Sequence, residues 1–125
     1  RSGRSSTRRR IALVEDNDDV RSSLRVLLEM QGHEVVEAKD GLQGVDAILR
    51  EQADIALVDI GLPHLDGYGV ARAVRARGSR HVTLVAMTGY GGQGDAERGA
   101  QAGFDAYMVK PVDAAALTEL IARAS

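Results

Sequence analysis

The sequence contains no cysteine. That excludes disulfides, thiolate zinc sites and thiol catalysis, and it suits a reducing compartment. Aromatic residues make up only 3% of the chain, and tryptophan is missing altogether. The core must therefore be aliphatic, and stacking on nucleic-acid bases is not expected. No apolar run approaches the roughly 20 residues that a membrane-spanning helix needs. Arg1–Arg10 is basic but is not followed by the apolar stretch of a signal peptide. Lysine is scarce as well, with Lys39 and Lys110 the only two.

Basic charge is scarce outside the head of the chain. Five of the 16 basic residues are Arg1, Arg4, Arg8, Arg9 and Arg10, which leaves 11 basic against 18 acidic residues in Ile11–Ser125. A segment with a balance near -7 is a poor binder of nucleic acid. Residues 1–9, rich in Arg, Ser and Gly, are expected to be a disordered linker or an expression remnant. The remaining residues, 10–125, are expected to form one domain. A length of 125 residues, 44% of them hydrophobic and 27% charged, suits a single compact soluble unit.

What is present is a repeated alternation. Arg10-Ile11-Ala12-Leu13-Val14 predicts a buried strand that runs into the acidic cluster Glu15-Asp16-Asn17-Asp18-Asp19. Val20, Leu24, Leu27 and Leu28 then mark one face of a helix, capped by Asn17 or Asp18 and ended by Gly32. His33–Ala38 predicts a second strand. After an Asp40-Gly41 turn, Leu42, Val45, Ile48 and Leu49 predict a second helix face. Ile55-Ala56-Leu57-Val58-Asp59 is an apolar run bounded by the Gly61–Pro63 loop, the pattern of a strand buried on both sides. Asp66 is expected to cap a helix carrying Val70, Ala73 and Val74. Val82–Met87 predicts a fourth strand ending at Thr88-Gly89, and a weak helix is expected over about Asp95–Ala102. Phe104–Val109 predicts a fifth strand ending at Lys110-Pro111, and Asp113 caps a last helix with Leu117, Leu120 and Ile121. Five strand–helix alternations demand a parallel sheet with helices on both faces.

In such a sheet the carboxyl ends of the strands share one edge, and ligands bind there. That edge would collect Glu15 and Asp16, Asp59, Thr88 and Lys110. Singly, each has a plain structural role as a cap, a turn hydroxyl or a solvated lysine. Together they are chemically coherent. Three carboxylates in one crevice raise one another's pKa unless a hard dication joins them. Mg²⁺ accepts one or two carboxylates, a carbonyl and waters, and the Gly61 carbonyl is placed to help. Lys110 and Thr88 would neutralise phosphoryl oxygens, and aspartate can serve as the nucleophile.

These residues carry a resemblance. Leu13-Val14-Glu15-Asp16-Asn17, Leu57–Pro63 with Asp66-Gly67, Ala86-Met87-Thr88-Gly89 and Val109-Lys110-Pro111 together resemble the receiver (response-regulator) domain of two-component signalling, over about Arg10–Ala124. The resemblance implies a flavodoxin-like (βα)5 doubly wound sheet of strand order 2-1-3-4-5. It implies that Asp59 is the phosphoacceptor, that Asp16 is a direct and Glu15 an outer ligand of Mg²⁺ or Mn²⁺, and that Thr88 and Lys110 hold phosphoryl oxygens. Tyr107 matches the family's aromatic switch, read out on the helix 4–strand 5–helix 5 face, which is also where a homodimer would form. The implied partner is a histidine kinase or a histidine phosphotransfer domain, in a cytoplasmic, bacterial-type setting without membrane or nucleic-acid contact by this domain. Such a domain is a phosphoacceptor that dephosphorylates itself, not a separate catalyst.

Some details depart from the pattern or refine it. Glu15 stands where many members have aspartate. Gly61 puts no side chain two residues beyond Asp59, which predicts easy access for water. His64 is read as a solvated loop residue in preference to a metal ligand, and Tyr90 as a residue over the pocket. Gly91, Gly92 and Gly94 are expected to loosen the start of the fourth helix. The Asp-Ile-Gly-Leu-Pro and Thr-Gly-Tyr-Gly wording resembles receivers at the carboxyl terminus of hybrid sensor histidine kinases, whose parent would be a protein-histidine kinase. The alternatives are a stand-alone or excised response regulator, with or without a DNA-binding output domain, and a phosphorylation-independent interaction module. A haloacid-dehalogenase-type phosphatase would need an aspartate where Gly61 stands.

Overall fold

The computed structural model describes residues 8–79, 81–89 and 93–124. Among them, five strands alternate with five helices: β1 (Arg10–Val14), α1 (Asp18–Met30), β2 (Glu34–Ala38), α2 (Gly41–Arg50), β3 (Ile55–Asp59), α3 (Gly67–Ala76), β4 (Thr83–Thr88), α4 (Gln93–Ala102), β5 (Ala106–Val109) and α5 (Ala114–Arg123). The strands form one parallel sheet in the order β2-β1-β3-β4-β5, as the flavodoxin-like reading required. Residues 1–7, most of the expected linker, lie outside the described residues, as do Tyr90, Gly91 and Gly92.

Alternating side chains of each strand feed two apolar layers. Ile55 and Leu57 of β3 face α1 and α5, where Leu24, Leu28, Leu117 and Ile121 pack with Leu13 and Met87. Ala56 and Val58 face the other way, toward Ile48, Val70, Val74 and Leu84. Every residue of β3 is buried, so the central strand is covered on both sides. Burying a side chain such as Leu57 completely contributes about 2 kcal/mol. This two-sided core is what fixes β3 and the aspartate at its end.

Helix starts follow the sequence closely. Asn17, not Asp18, caps α1: its side chain accepts the Val20 N–H at 3.0 Å, leaving Asp18 as the first helical residue. Asp40, Asp66 and Asp113 cap α2, α3 and α5 in the same way. Gly32 follows α1 with a φ of +94°, a left-handed conformation that glycine adopts without steric cost.

Several boundaries differ from expectation. The strands expected to begin at His33, Val82 and Phe104 begin at Glu34, Thr83 and Ala106, and α4 begins at Gln93 instead of about Asp95. Phe104 is buried before β5 starts, meeting the Tyr68 ring edge-on with centroids 6.5 Å apart. Leu42 is a plain correction, because it is 62% exposed and no part of the inward face of α2. That face is built on Gly41, Gly44, Ala47 and Ile48. A side chain on Gly44 would come within 2.7 Å of Val14, so this glycine lets the helix lie close to the sheet. Leu42, two residues earlier, is rotated by roughly 200° and points away.

Candidate functional site

Parallel register brings the predicted residues to one edge. Asp59 is the last residue of β3 and Thr88 the last of β4, and both side chains are buried. Glu15 follows β1 and is only 1% exposed. Lys110 follows β5, and its peptide bond to Pro111 is cis. Glu15, Asp16 and Asp59 each offer a carboxylate oxygen, and these three oxygens lie within 4.8 Å of one another. That spacing brings three negative charges close enough to attract one cation.

Glu15 is held from every side. Its N–H donates to the Ala38 carbonyl at 3.0 Å, and its Oε2 accepts the Asn17 N–H at 3.0 Å. Lys110 Nζ donates to Glu15 Oε1 at 2.8 Å and lies 3.2 Å from Asp59 Oδ2. Burial pushes the Glu15 carboxyl above its ordinary pKa; the Lys110 and Asn17 bonds oppose this, and the Asp59 charge adds to it. Burial also works against the Lys110 ammonium, but the bond to Glu15 and the charge of Asp59 outweigh it and hold its pKa above that of an ordinary lysine.

Asp59 Oδ1 accepts the Gly61 N–H at 3.2 Å, which turns the loop after β3 back over the carboxylate. Gly61 is exposed, and a side chain placed there would meet nothing within 4 Å. The space around Gly61 is therefore free of other side chains, while Asp59 itself is buried. A groove of about 490 Å³, lined by Val20, Leu24, Lys110 and Pro111 among others, runs beside the site. Tyr107, three residues before Lys110, is half exposed on β5.

His64 lies apart from the carboxylate cluster. It is exposed, with Nδ1 3.1 Å from Asp40 Oδ2, and so links the β3–α3 loop to the cap of α2. Sequence reasoning did not single out Asp40 for this contact. Nor did it find Arg21, which is buried under the acidic loop and bonded to the Glu15 carbonyl at 2.9 Å. A signal for Arg21 existed. It shares the face of Leu24 and Leu28, where an apolar side chain would be expected.

The comparisons with known proteins agree with this geometry. The family model for the response regulator receiver domain matches residues 11–122. The chain is 34% identical over 111 residues to the transcriptional regulatory protein CseB of Streptomyces coelicolor; the match covers 89% of this chain but 47% of CseB, so the chain spans about half of that relative. Among solved structures it is similar to the receiver domain of the sensor histidine kinase PA1611 of Pseudomonas aeruginosa, with a magnesium ion in its active-site cleft: 36% identity, a TM-score of 0.85, and coverage of 94% of this chain and 97% of the other. It is also similar to the receiver domain of Ssk1 of Saccharomyces cerevisiae, crystallised with the histidine phosphotransfer protein Ypd1, at 26% identity and a TM-score of 0.88, covering 94% and 88% of the two chains. Fold, strand order and sequence together place this chain in the family of response regulator receiver domains.

Proposed function

We propose that the chain accepts a phosphoryl group on Asp59 from a phosphohistidine, and that a divalent cation, Mg²⁺ or Mn²⁺, is required. The observation that carries this reading is the convergence of three carboxylates within 4.8 Å with Lys110 beside two of them. Receiver domains as a class are phosphoacceptors and bind Mg²⁺ in their acidic pocket. Here Asp16, Asp59 and the Gly61 carbonyl would hold the cation, with Glu15 in its outer shell. When bound, the cation supplies charge neutralisation at the phosphoryl oxygens.

The residues of the chain do the rest. A carboxylate oxygen of Asp59 attacks phosphorus, a P–O bond forms, and the P–N bond to the donor imidazole breaks. The leaving nitrogen is protonated from solvent. Lys110, which already lies beside Asp59, neutralises one phosphoryl oxygen, and the Thr88 hydroxyl donates to another. Thr88 moves toward the phosphoryl group, and Tyr107 turns inward from its half-exposed position. The face of α4, β5 and α5 changes as a result, and it is the face for a homodimer or an output partner. Water entering past Gly61 hydrolyses the acyl phosphate.

The donor is a histidine kinase or a histidine phosphotransfer domain, a reading supported by the likeness to Ssk1, which was crystallised with such a partner. The Asp59-Ile60-Gly61-Leu62-Pro63 wording and the likeness to the PA1611 receiver support a hybrid sensor histidine kinase as the parent. The partial coverage of CseB favours a second reading, a response regulator whose output module lies outside this sequence. Among the described residues no helix is long and apolar enough to cross a membrane. We place the domain in the cytoplasm.

The test is intact mass after incubation with acetyl phosphate and Mg²⁺, for wild type and Asp59→Asn, with and without a chelator. A gain of one phosphoryl mass that needs both Asp59 and metal is expected. If neither that gain nor a beryllofluoride-induced shift near Thr88 and Tyr107 is seen, the domain is a phosphorylation-independent module.

A further inference from the structure

Arg21 is 7% exposed, and guanidinium groups are seldom taken out of water unless paired. All three of its nitrogens have acceptors. Nη1 donates to the Glu15 carbonyl at 2.9 Å, Nη2 to Asp18 Oδ1 at 2.6 Å, and Nε to Glu37 Oε1 at 3.1 Å. The bond to Glu15 matters most. That carbonyl belongs to the planar peptide whose nitrogen is that of Asp16, so fixing it fixes the plane from which Asp16 projects. The other groups of Glu15 are already engaged, by Ala38, Asn17 and Lys110. Asp16 itself is exposed, so its aim depends on the backbone that carries it.

We propose that Arg21 is a positioning residue for the cation site: its fork clamps the Glu15–Asp16 peptide between α1 and β2, and thereby aims the two carboxylates at one point. The inference rests on the reading of this edge as a cation and phosphoryl site. A charge effect would have the opposite sign. Removing a cation from behind an acidic cluster strengthens Mg²⁺ binding, whereas removing a clamp weakens it. Partners that orient metal ligands are worth about 10–100-fold in affinity elsewhere.

The experiment is a MgCl₂ titration followed by amide chemical shifts, on wild type, Arg21→Lys, Arg21→Gln and Asp16→Asn. Lysine keeps the charge but cannot make the three-way fork. A rise of about tenfold or more in the Mg²⁺ dissociation constant is expected for both Arg21 variants. Affinity within twofold of wild type in Arg21→Lys, or stronger binding in Arg21→Gln, overturns the inference while leaving the site intact. Wild-type binding that Asp16→Asn does not weaken brings down the site reading as well. If the Arg21 variants fail to fold, Glu37→Gln and Glu37→Ala replace them. Both lose the charge, but only glutamine keeps an acceptor for Arg21 Nε. Weaker Mg²⁺ binding in Glu37→Ala than in Glu37→Gln is expected, and equal binding overturns the inference.

Discussion

Lys110 makes its shortest carboxylate contact, 2.8 Å, with Glu15. Asp59 Oδ2 is farther from the ammonium, at 3.2 Å. One lysine thus shares its charge between two buried acids, and neither is fully neutralised. A divalent cation joining the carboxylates would relieve both, and would free the ammonium for an incoming anion.

Glu15 has its pKa raised by burial, with Lys110 and Asn17 opposing and Asp59 adding. For an acid raised in the folded state, the stabilising contribution is complete below the unfolded pKa and is lost as pH rises through the folded one. The cation-free protein is therefore less stable at neutral pH on account of Glu15, and a proton on Glu15 removes a negative charge that favours Mg²⁺ in the same cluster. Differential scanning calorimetry should show a larger Mg²⁺-induced rise in Tm at about pH 7.5 than at about pH 5. In Lys110→Met the Mg²⁺ effect should set in at higher pH, because Glu15 loses the bond that lowers its pKa. An equal Mg²⁺ effect at both pH values would contradict this account.

Gly61 places no side chain two residues beyond Asp59, and one added there would meet nothing within 4 Å. Gly61→Asn should fold normally and slow loss of the phosphoryl group by about tenfold, equivalent to about 1.4 kcal/mol of added barrier. The decay of the phosphorylated mass in the two proteins measures this directly. An unchanged rate would mean that water reaches the acyl phosphate by another path.

The main lines of this arrangement were legible because they depend on local pattern. The apolar run Ile55–Val58 announces a covered strand, and a parallel alternation puts Asp59, Thr88 and Lys110 on the same edge without further information. Side-chain pairing across elements was not legible. Arg21 meets Glu37 from a different element, and His64 meets Asp40 across two loops. No periodicity announces such pairs, since they depend on how helices and loops settle on the sheet. Leu42 shows the same limit from the other side. Its spacing suited a core face, but Gly44 lets its own face of α2 approach Val14 of β1, and Gly41 lies against Leu65.

A second close approach of α2, to the loop after β3, is found at Gly41. A Cβ built there would lie 1.8 Å from the Leu65 carbonyl oxygen, a backbone atom that cannot swing aside. The Gly41 N–H also points at the Pro63 carbonyl at 3.4 Å, so the loop after Asp59 leans on the start of α2. Gly41→Ala should cost about 3 kcal/mol through overpacking. Gly61→Ala, in open space, should stay within about 0.5 kcal/mol of wild type. Urea unfolding of the two variants gives both numbers, and comparable stabilities would contradict the close approach of loop and helix.

The pKa of His33 is shifted down, where that of Glu15 is shifted up. The ring is buried at the turn between α1 and β2, and its Nδ1 accepts the Arg9 N–H at 3.0 Å. Burial lowers its pKa, and the charge of Arg9 lowers it further. A proton on Nδ1 would also displace the Arg9 N–H and set two donors against each other. For a group depressed in the folded state, the stability is present above the unfolded value and is lost as pH falls through the folded one. Wild type should therefore lose stability as pH drops below about 6.5, the unfolded histidine value. Exposed His64 and His81 sit in both proteins, so comparison with His33→Gln isolates the contribution of His33. The variant should be less stable than wild type at pH 7.5 and should close that gap at lower pH. A gap that stays constant across the range would show that His33 holds Arg9 equally well with its proton on.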